Sequence, residues 1–329
     1  MIKKPLLIVS GEPNSIFSEI LFKSLNNKLT KKKLGRSIII IGSKKLLEAQ
    51  ARKLGYSINF IVIDLNNINL HSLNKKKIYI INIDFKFKKI FDKISSNSND
   101  YIKKCFDISI KLLKKNKAYA LINGPISKQF FLKKKYLGIT EYLSKKISNK
   151  NKPVMLIYNS NISVSPITTH LPIKLVSKNL TIKNIIHNVL TINSFYNLKL
   201  KKKIRFAILG LNPHCESILK FSEEEKIIIP AIKKLINKKI KIEGPFSADT
   251  FFLKKNIDKF DVVIGMYHDQ VITPLKTLYK FDAINITLGL PFIRISPDHG
   301  TNIKMMGKNI SDPKSLIASF SFLKKLSEI

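Results

Sequence analysis

Short apolar runs bounded by polar residues recur along the chain: Leu6–Val9, Ile38–Ile41, Ile58–Ile63, Ile78–Ile83, Ala118–Ile122, Val154–Tyr158, Ile204–Leu209 and Val262–Gly265. Runs this short, rich in β-branched residues and lacking polar alternation, predict strands buried on both faces, the environment of a parallel sheet. Between them the period changes. In Tyr101–Lys115, Ile102, Phe106, Ile110 and Leu113 return every three or four positions with Lys on the opposite side, which predicts an amphipathic helix. Glu223–Leu235 reads the same way. Strand–helix alternation predicts an α/β fold. The Asn- and Ser-bearing stretches 95–100 and 148–152 read as loops, and no internal repeat is present. A domain boundary is expected just after Gly124-Pro125-Ile126-Ser127-Lys128, with a return near Gly300. That gives a first α/β domain of 1–128 plus 300–329 and a second of 129–299.

Length and composition fit this picture. The chain has 329 residues, 44% hydrophobic and 9% aromatic, enough to bury a core in two domains. Its charge is extreme: 59 Lys and Arg against 22 acids, a formal +37. A basic balance of this size suggests a nucleic-acid partner. Here, however, the excess is mostly Lys spread along the whole chain, including Lys31–Lys33, Lys75–Lys77, Lys133–Lys135 and Lys201–Lys203. It travels with abundant Ile and Asn, absent Trp and only 12 Gly. Lys, Asn and Ile have AT-rich codons, so drift in base composition accounts for the pattern and no nucleic-acid partner is expected. The charge still attracts small anionic substrates. Cys105 and Cys215 form neither a CxxC pair nor a disulfide framework, which fits a reducing cytoplasm. No apolar run reaches the roughly 18 residues of a membrane helix. The start Met1-Ile2-Lys3-Lys4 followed by Pro5–Val9 resembles a leader, but the run is short and ends at Ser10-Gly11-Glu12-Pro13, so it reads as a first buried strand.

Six histidines carry the candidate chemistry. His71 and His187 sit in polar contexts and read as surface. His170, His214, His268 and His299 each follow an apolar run, so each falls where a strand ends in a loop. Ligands of open α/β sheets bind outside the carboxyl ends of strands. Three neutral imidazoles make a sound coordination set for a divalent cation, with positions left open for substrate. A lone histidine is more often a hydrogen-bonded structural residue, and the separations in sequence do not decide between the readings. Arg294, in Pro291-Phe292-Ile293-Arg294-Ile295-Ser296, has the planar fork that suits carboxylate or phosphate. Lys276 offers a second positive charge, or is one more surface lysine. Asp249 and Asp269 lie in similar loops and can orient a histidine or accept a proton, while Asp249 also suits a helix N-cap. There is no GxGxxG after the first strand, no GxxxxGK[ST] and no nucleophile elbow, so a nicotinamide cofactor would bind outside the Rossmann manner.

Taken together, Ser10-Gly11-Glu12-Pro13, Leu211-Asn212-Pro213-His214, Gly244–Thr250, Tyr267-His268-Asp269-Gln270, Asn285–Phe292 and Asp298-His299-Gly300-Thr301 resemble the 4-hydroxythreonine-4-phosphate dehydrogenase family of vitamin B6 biosynthesis. The resemblance implies two α/β/α domains like those of isocitrate and isopropylmalate dehydrogenases, with the active site in the cleft between them, and a homodimer. It implies that His170, His214 and His268 bind a divalent metal (zinc, cobalt, magnesium or manganese) at the dimer interface, one of them supplied across it. It assigns Thr140, Lys276, Asn285 and Arg294 to the substrate and leaves His299 as a loop histidine; Asp249 is the candidate general base. It implies NAD or NADP as oxidant of the C3 hydroxyl of 4-phosphooxy-L-threonine. The product, 2-amino-3-oxo-4-phosphooxybutanoate, then loses carbon dioxide to give 3-amino-2-oxopropyl phosphate. The family usually has His-Thr-Glu where this chain has Ile139-Thr140-Glu141, and Ile139 can neither donate a hydrogen bond nor carry charge. That departure keeps two alternatives in view: a sister dehydrogenase of another phosphorylated hydroxy acid such as phosphorylated threonate, and a basic protein that has lost catalysis and binds polyanions.

Overall fold

The computed structural model describes residues 3–27, 35–65, 68, 72–132, 135–136, 138–147, 152–215, 222–280 and 282–329. His71, Lys31–Lys33, Lys133 and Lys134, and most of the 148–152 loop lie outside the described residues. The chain divides into two compact units, Met1–Asn151 with Leu290–Glu328, and Lys152–Gly289.

In the first unit, strands β1 (Leu6–Val9), β2 (Ile38–Gly42), β3 (Phe60–Val62), β4 (Ile78–Asn82), β5 (Ala120–Asn123) and β12 (Ile293–Pro297) run in the order β3-β4-β2-β1-β5-β12. Every pairing is parallel, as the unalternating apolar runs predict. One face carries Leu7, Val9, Ile39, Ile41 and Leu121, which pack with Ile102, Phe106 and Ile110 of the helix Asn99–Lys114. That is the amphipathic segment read from sequence, displaced by one or two residues. The turn after β1 lies against the loop after β5: Glu12 N–H donates to the Pro125 carbonyl at 2.8 Å, and a Cβ on Gly11, whose φ is 70°, would meet that oxygen at 2.4 Å. Only glycine fits there.

The first unit is larger than expected at both divisions, which fall at 151/152 and 289/290 rather than 128/129 and 299/300. The reason is burial. The helix Ile139–Lys146 places Leu143 in the same core as Leu7 and Ile102, and β12 pairs with β5 from Ile293 to Ile295.

The second unit contains β6 (Val154–Tyr158), β7 (Ser163–Thr168), β8 (Phe206–Leu209), β9 (Ile242–Phe246), β10 (Val262–Tyr267) and β11 (Ile284–Leu288), ordered β11-β6-β7-β10-β8-β9. β7, β10, β8 and β9 are parallel, whereas β6 runs antiparallel to both β7 and β11. The short connection Asn159–Ile162 imposes that reversal, and the Asn159 carboxamide oxygen accepts the Asn161 N–H at 2.9 Å to close it. The helix expected over Glu223–Leu235 is present in two parts, a five-residue π-helical stretch Glu224–Ile228 and an α-helix Ile229–Asn237. Pro230 has no N–H to return to residue 226, so a regular α-helical ladder cannot run through this point. Among the described residues, no helix is long and apolar enough to cross a membrane.

Candidate active site

Because β7, β8, β9 and β10 are parallel, their carboxyl ends share one edge of the second unit's sheet. His170 follows β7, His214 lies in the loop after β8, Asp249 follows β9, and His268 begins the helix His268–Tyr279 directly after β10. The strand-end reading of these residues therefore holds. The His170 and His268 rings stand 5.7 Å apart between centroids. His268 Nδ1 lies 2.7 Å from Asp269 Oδ1. With the proton on Nδ1 directed at the carboxylate, Nε2 keeps its lone pair, the arrangement that orients a ligating imidazole.

His214 is set apart from this pair. Its side chain is 72% exposed and its Nδ1 lies 3.8 Å from Asp249 Oδ2. Its backbone occupies the left-handed region at φ 56° and ψ 11°, and Cys215 follows at φ 58°. Left-handed backbone at a non-glycine residue costs roughly 1 kcal/mol or more and persists only where neighbours enforce it. Glu224 pins the start of this loop: its buried carboxylate accepts the backbone N–H groups of Leu211 and Asn212 at 2.7 and 2.9 Å, and the Asn212 carboxamide at 2.7 Å. Burial pushes the Glu224 carboxyl up, but the Asn212 N–H and the other donors outweigh it and hold it below the usual range. Asp249 is also held low, first by the Ser247 hydroxyl at 2.6 Å and further by His214. Asp249 is not a cap residue. It lies in the first turn of Ala248–Phe251, whose N-cap is Ser247. Among the described residues, no group of three His, Cys, Asp or Glu side chains stands close enough to hold a metal ion. One chain thus brings together His170 with His268, and His214 with Asp249.

The residues expected to hold substrate are divided between the units. In the first, Arg294 is the second residue of β12 and is 0% exposed. Its Nε donates to Asn123 Oδ1 at 2.7 Å and one terminal nitrogen donates to Thr140 Oγ1 at 3.3 Å. Burial lowers the guanidinium to about 10, opposed by Glu141, so it stays charged at neutral pH. Ile139 is half-buried and packs onto the first unit's core. Beyond β12, the His299 ring stands 6.0 Å from that of Phe17, and burial pushes this imidazole down to about 4. In the second unit, Lys276 is exposed on the helix His268–Tyr279. Asn285 Oδ1, on β11, is buried with no hydrogen-bond partner among the described residues. Sequence reading passed over Asn123 and Glu224. Asn123 directly precedes Gly124-Pro125, and Glu224 sits in Glu223-Glu224-Glu225, a run of acids in a chain dominated by lysine.

A family model described as pyridoxal phosphate biosynthetic protein PdxA matches residues 34–323. A 4-hydroxythreonine-4-phosphate dehydrogenase of Sulfurihydrogenibium sp. (strain YO3AOP1) is 41% identical over 95% of each chain. A protein of Oceanobacillus iheyensis bearing the provisional name D-threonate 4-phosphate dehydrogenase is 31% identical over 96% of each. The crystal structure of 4-hydroxythreonine-4-phosphate dehydrogenase from Klebsiella pneumoniae superposes with a TM-score of 0.82 at 25% identity, covering 99% of this chain and 100% of that one. Isocitrate dehydrogenase from Methylococcus capsulatus shares the fold more distantly, with a TM-score of 0.50 at 10% identity over 96% of this chain and 84% of that one.

Proposed function

Because this chain belongs to the pyridoxal phosphate biosynthetic protein PdxA family, we propose that it oxidises the C3 hydroxyl of 4-phosphooxy-L-threonine with NAD or NADP. A hydride passes from C3 to the nicotinamide and the hydroxyl proton is released. The carboxylate of 2-amino-3-oxo-4-phosphooxybutanoate lies β to the new ketone, so the C1–C2 bond breaks with loss of carbon dioxide, and protonation at C2 gives 3-amino-2-oxopropyl phosphate.

The observation that carries this reading is the His170–His268 pair at the carboxyl edge, with Asp269 on the far nitrogen of His268. Two imidazoles at this separation, one already oriented by a carboxylate, fit a divalent cation. We assign the third imidazole to His214 of a second copy of the chain, which makes the working enzyme a homodimer. All-imidazole ligation favours zinc or cobalt over magnesium and manganese. A bound divalent cation supplies Lewis acidity, which acidifies an alcohol and polarises a carbonyl. The chain's own residues bind and orient. Arg294 and Lys276 supply positive charge for phosphate and carboxylate, the Thr140 hydroxyl and Asn285 carboxamide fix the substrate's polar groups, and Asp249 orients His214. Asp249 is also the candidate proton acceptor, but a carboxyl held low by Ser247 is better suited to orienting a histidine. Two cysteines outside any disulfide accord with work in the cytoplasm.

The test is NADH or NADPH formation with 4-phosphooxy-L-threonine and with D-threonate 4-phosphate, each with and without a chelator. The reading expects a higher kcat/KM for the former and loss of turnover on chelation. Turnover that survives complete metal removal overturns the metal assignment, and no turnover with either substrate overturns the dehydrogenase. Faster oxidation of D-threonate 4-phosphate selects the second reading, which Ile139 and the Oceanobacillus relative favour.

A further inference from the structure

Gln270 is buried, two residues beyond His268, and uses both ends of its carboxamide. Its oxygen accepts the Met266 N–H at 2.7 Å, closing a ring around the turn that carries His268. Its nitrogen donates to the Gly210 carbonyl at 2.6 Å, the first residue past β8 and the root of the His214 loop. The Met266 carbonyl in turn accepts the Thr168 hydroxyl at 2.7 Å, two residues before His170. The segments bearing all three histidines are therefore tied at one buried point. Packing there leaves no slack: a Cβ on Gly210 would meet Cys215 Sγ at 2.6 Å and Glu224 Oε1 at 3.1 Å.

We propose that Gln270 is a positioning residue for divalent-cation binding: its carboxamide fixes the His268 turn against the root of the His214 loop, so that His268 is aimed at the cation held with His170 and His214 at the cation held by a second copy of the chain. The inference rests on the metal reading above. Groups that orient ligands from behind are worth about ten- to a hundredfold in metal affinity. Gln270→Glu keeps the acceptor but sets a carboxylate oxygen against the Gly210 carbonyl. Gln270→Met keeps the volume and removes both bonds. Thr168→Val breaks the tie from the other side of Met266.

The experiment titrates Co2+ into metal-stripped full-length protein and follows visible absorption, alongside thermal unfolding of the metal-free forms. Asn188→Ala is the control, because Asn188 is an equally buried carboxamide, bonded to Ser165 at 3.1 Å and away from the histidine loops. Gln270→Glu and Gln270→Met are expected to weaken Co2+ by ten- to a hundredfold and alter the absorption band, Thr168→Val by less, and Asn188→Ala to lower thermal stability with wild-type affinity and band. Wild-type affinity and spectrum in whichever Gln270 variant folds overturns the inference alone, as does an equal loss of affinity in Asn188→Ala. Should both Gln270 variants fail to fold, wild-type affinity and spectrum in Thr168→Val overturns it. Wild-type protein that binds Co2+ no better than His268→Ala overturns the metal reading, and the inference with it.

Discussion

The first unit sets its buried cation inside a strand, whereas the second hangs its candidate metal ligands beyond strand ends. Arg294 is sealed in β12 and braced by Asn123 and Thr140, while His214 is 72% exposed on a left-handed turn. A buried guanidinium carries a desolvation cost that only close partners offset, and in return its direction is fixed. A neutral imidazole on a loop costs little to place, but nothing in the strand fixes its aim, so neighbours such as Gln270 and Glu224 must. Errors in the first unit should therefore appear as lost affinity and stability, and errors in the second as lost turnover and metal.

The largest expected effect tests the second half of that contrast. His268→Ala should reduce kcat at least about a thousandfold, the equivalent of several kcal/mol of transition-state stabilisation, with unchanged unfolding in urea. A comparable loss of stability would place His268 in the fold instead. Next, Arg294→Lys keeps the charge and loses the fork; steady-state kinetics should show kcat/KM falling about 30- to 1,000-fold, the equivalent of about 2–4 kcal/mol, mostly through KM. A fall confined to kcat would contradict a binding role.

A third prediction concerns pH. Burial holds His299 down to about 4, below the roughly 6.5 of an unfolded imidazole. Between those values the unfolded chain takes up a proton that the folded unit refuses. Stability is therefore highest above pH 6.5 and should decline by roughly 3 kcal/mol as pH falls toward 4. Urea unfolding at pH 7.5 and 4.5 measures this, and His299→Gln should remove that part of the slope. The smallest effect belongs to the exposed partner: Asp249→Asn should weaken Co2+ by about tenfold at most, because at 3.8 Å and in solvent it steadies His214 only loosely.

The same contrast explains what the sequence could disclose. β1 and β6 stand at the residues their apolar runs marked. β7, β9, β11 and β12 were hidden, because each carries polar residues that hydropathy counts against burial. Ser163 shares a hydrogen bond with Tyr196, Ser165 donates to the Met155 carbonyl, and Arg294 has Asn123. A pattern sees the polar atom but not the partner that satisfies it. Missing β12 also misplaced the second domain boundary, since its return to β5 draws 290–299 into the first unit. The histidines were legible as strand-end residues because each follows an apolar run. Their grouping was not, because residues 170 and 268 meet only through the pairing of β7 with β10.

The left-handed turn at residue 214 has a consequence for engineering. Judged by its backbone alone, the position asks for glycine, and a stability-guided redesign would supply it. Relieving roughly 1 kcal/mol of conformational cost, His214→Gly should raise the melting temperature. It would also delete the imidazole. Selection for thermostability and selection for growth without added vitamin should therefore drive this codon in opposite directions, and a library sorted both ways would read that conflict at a single site.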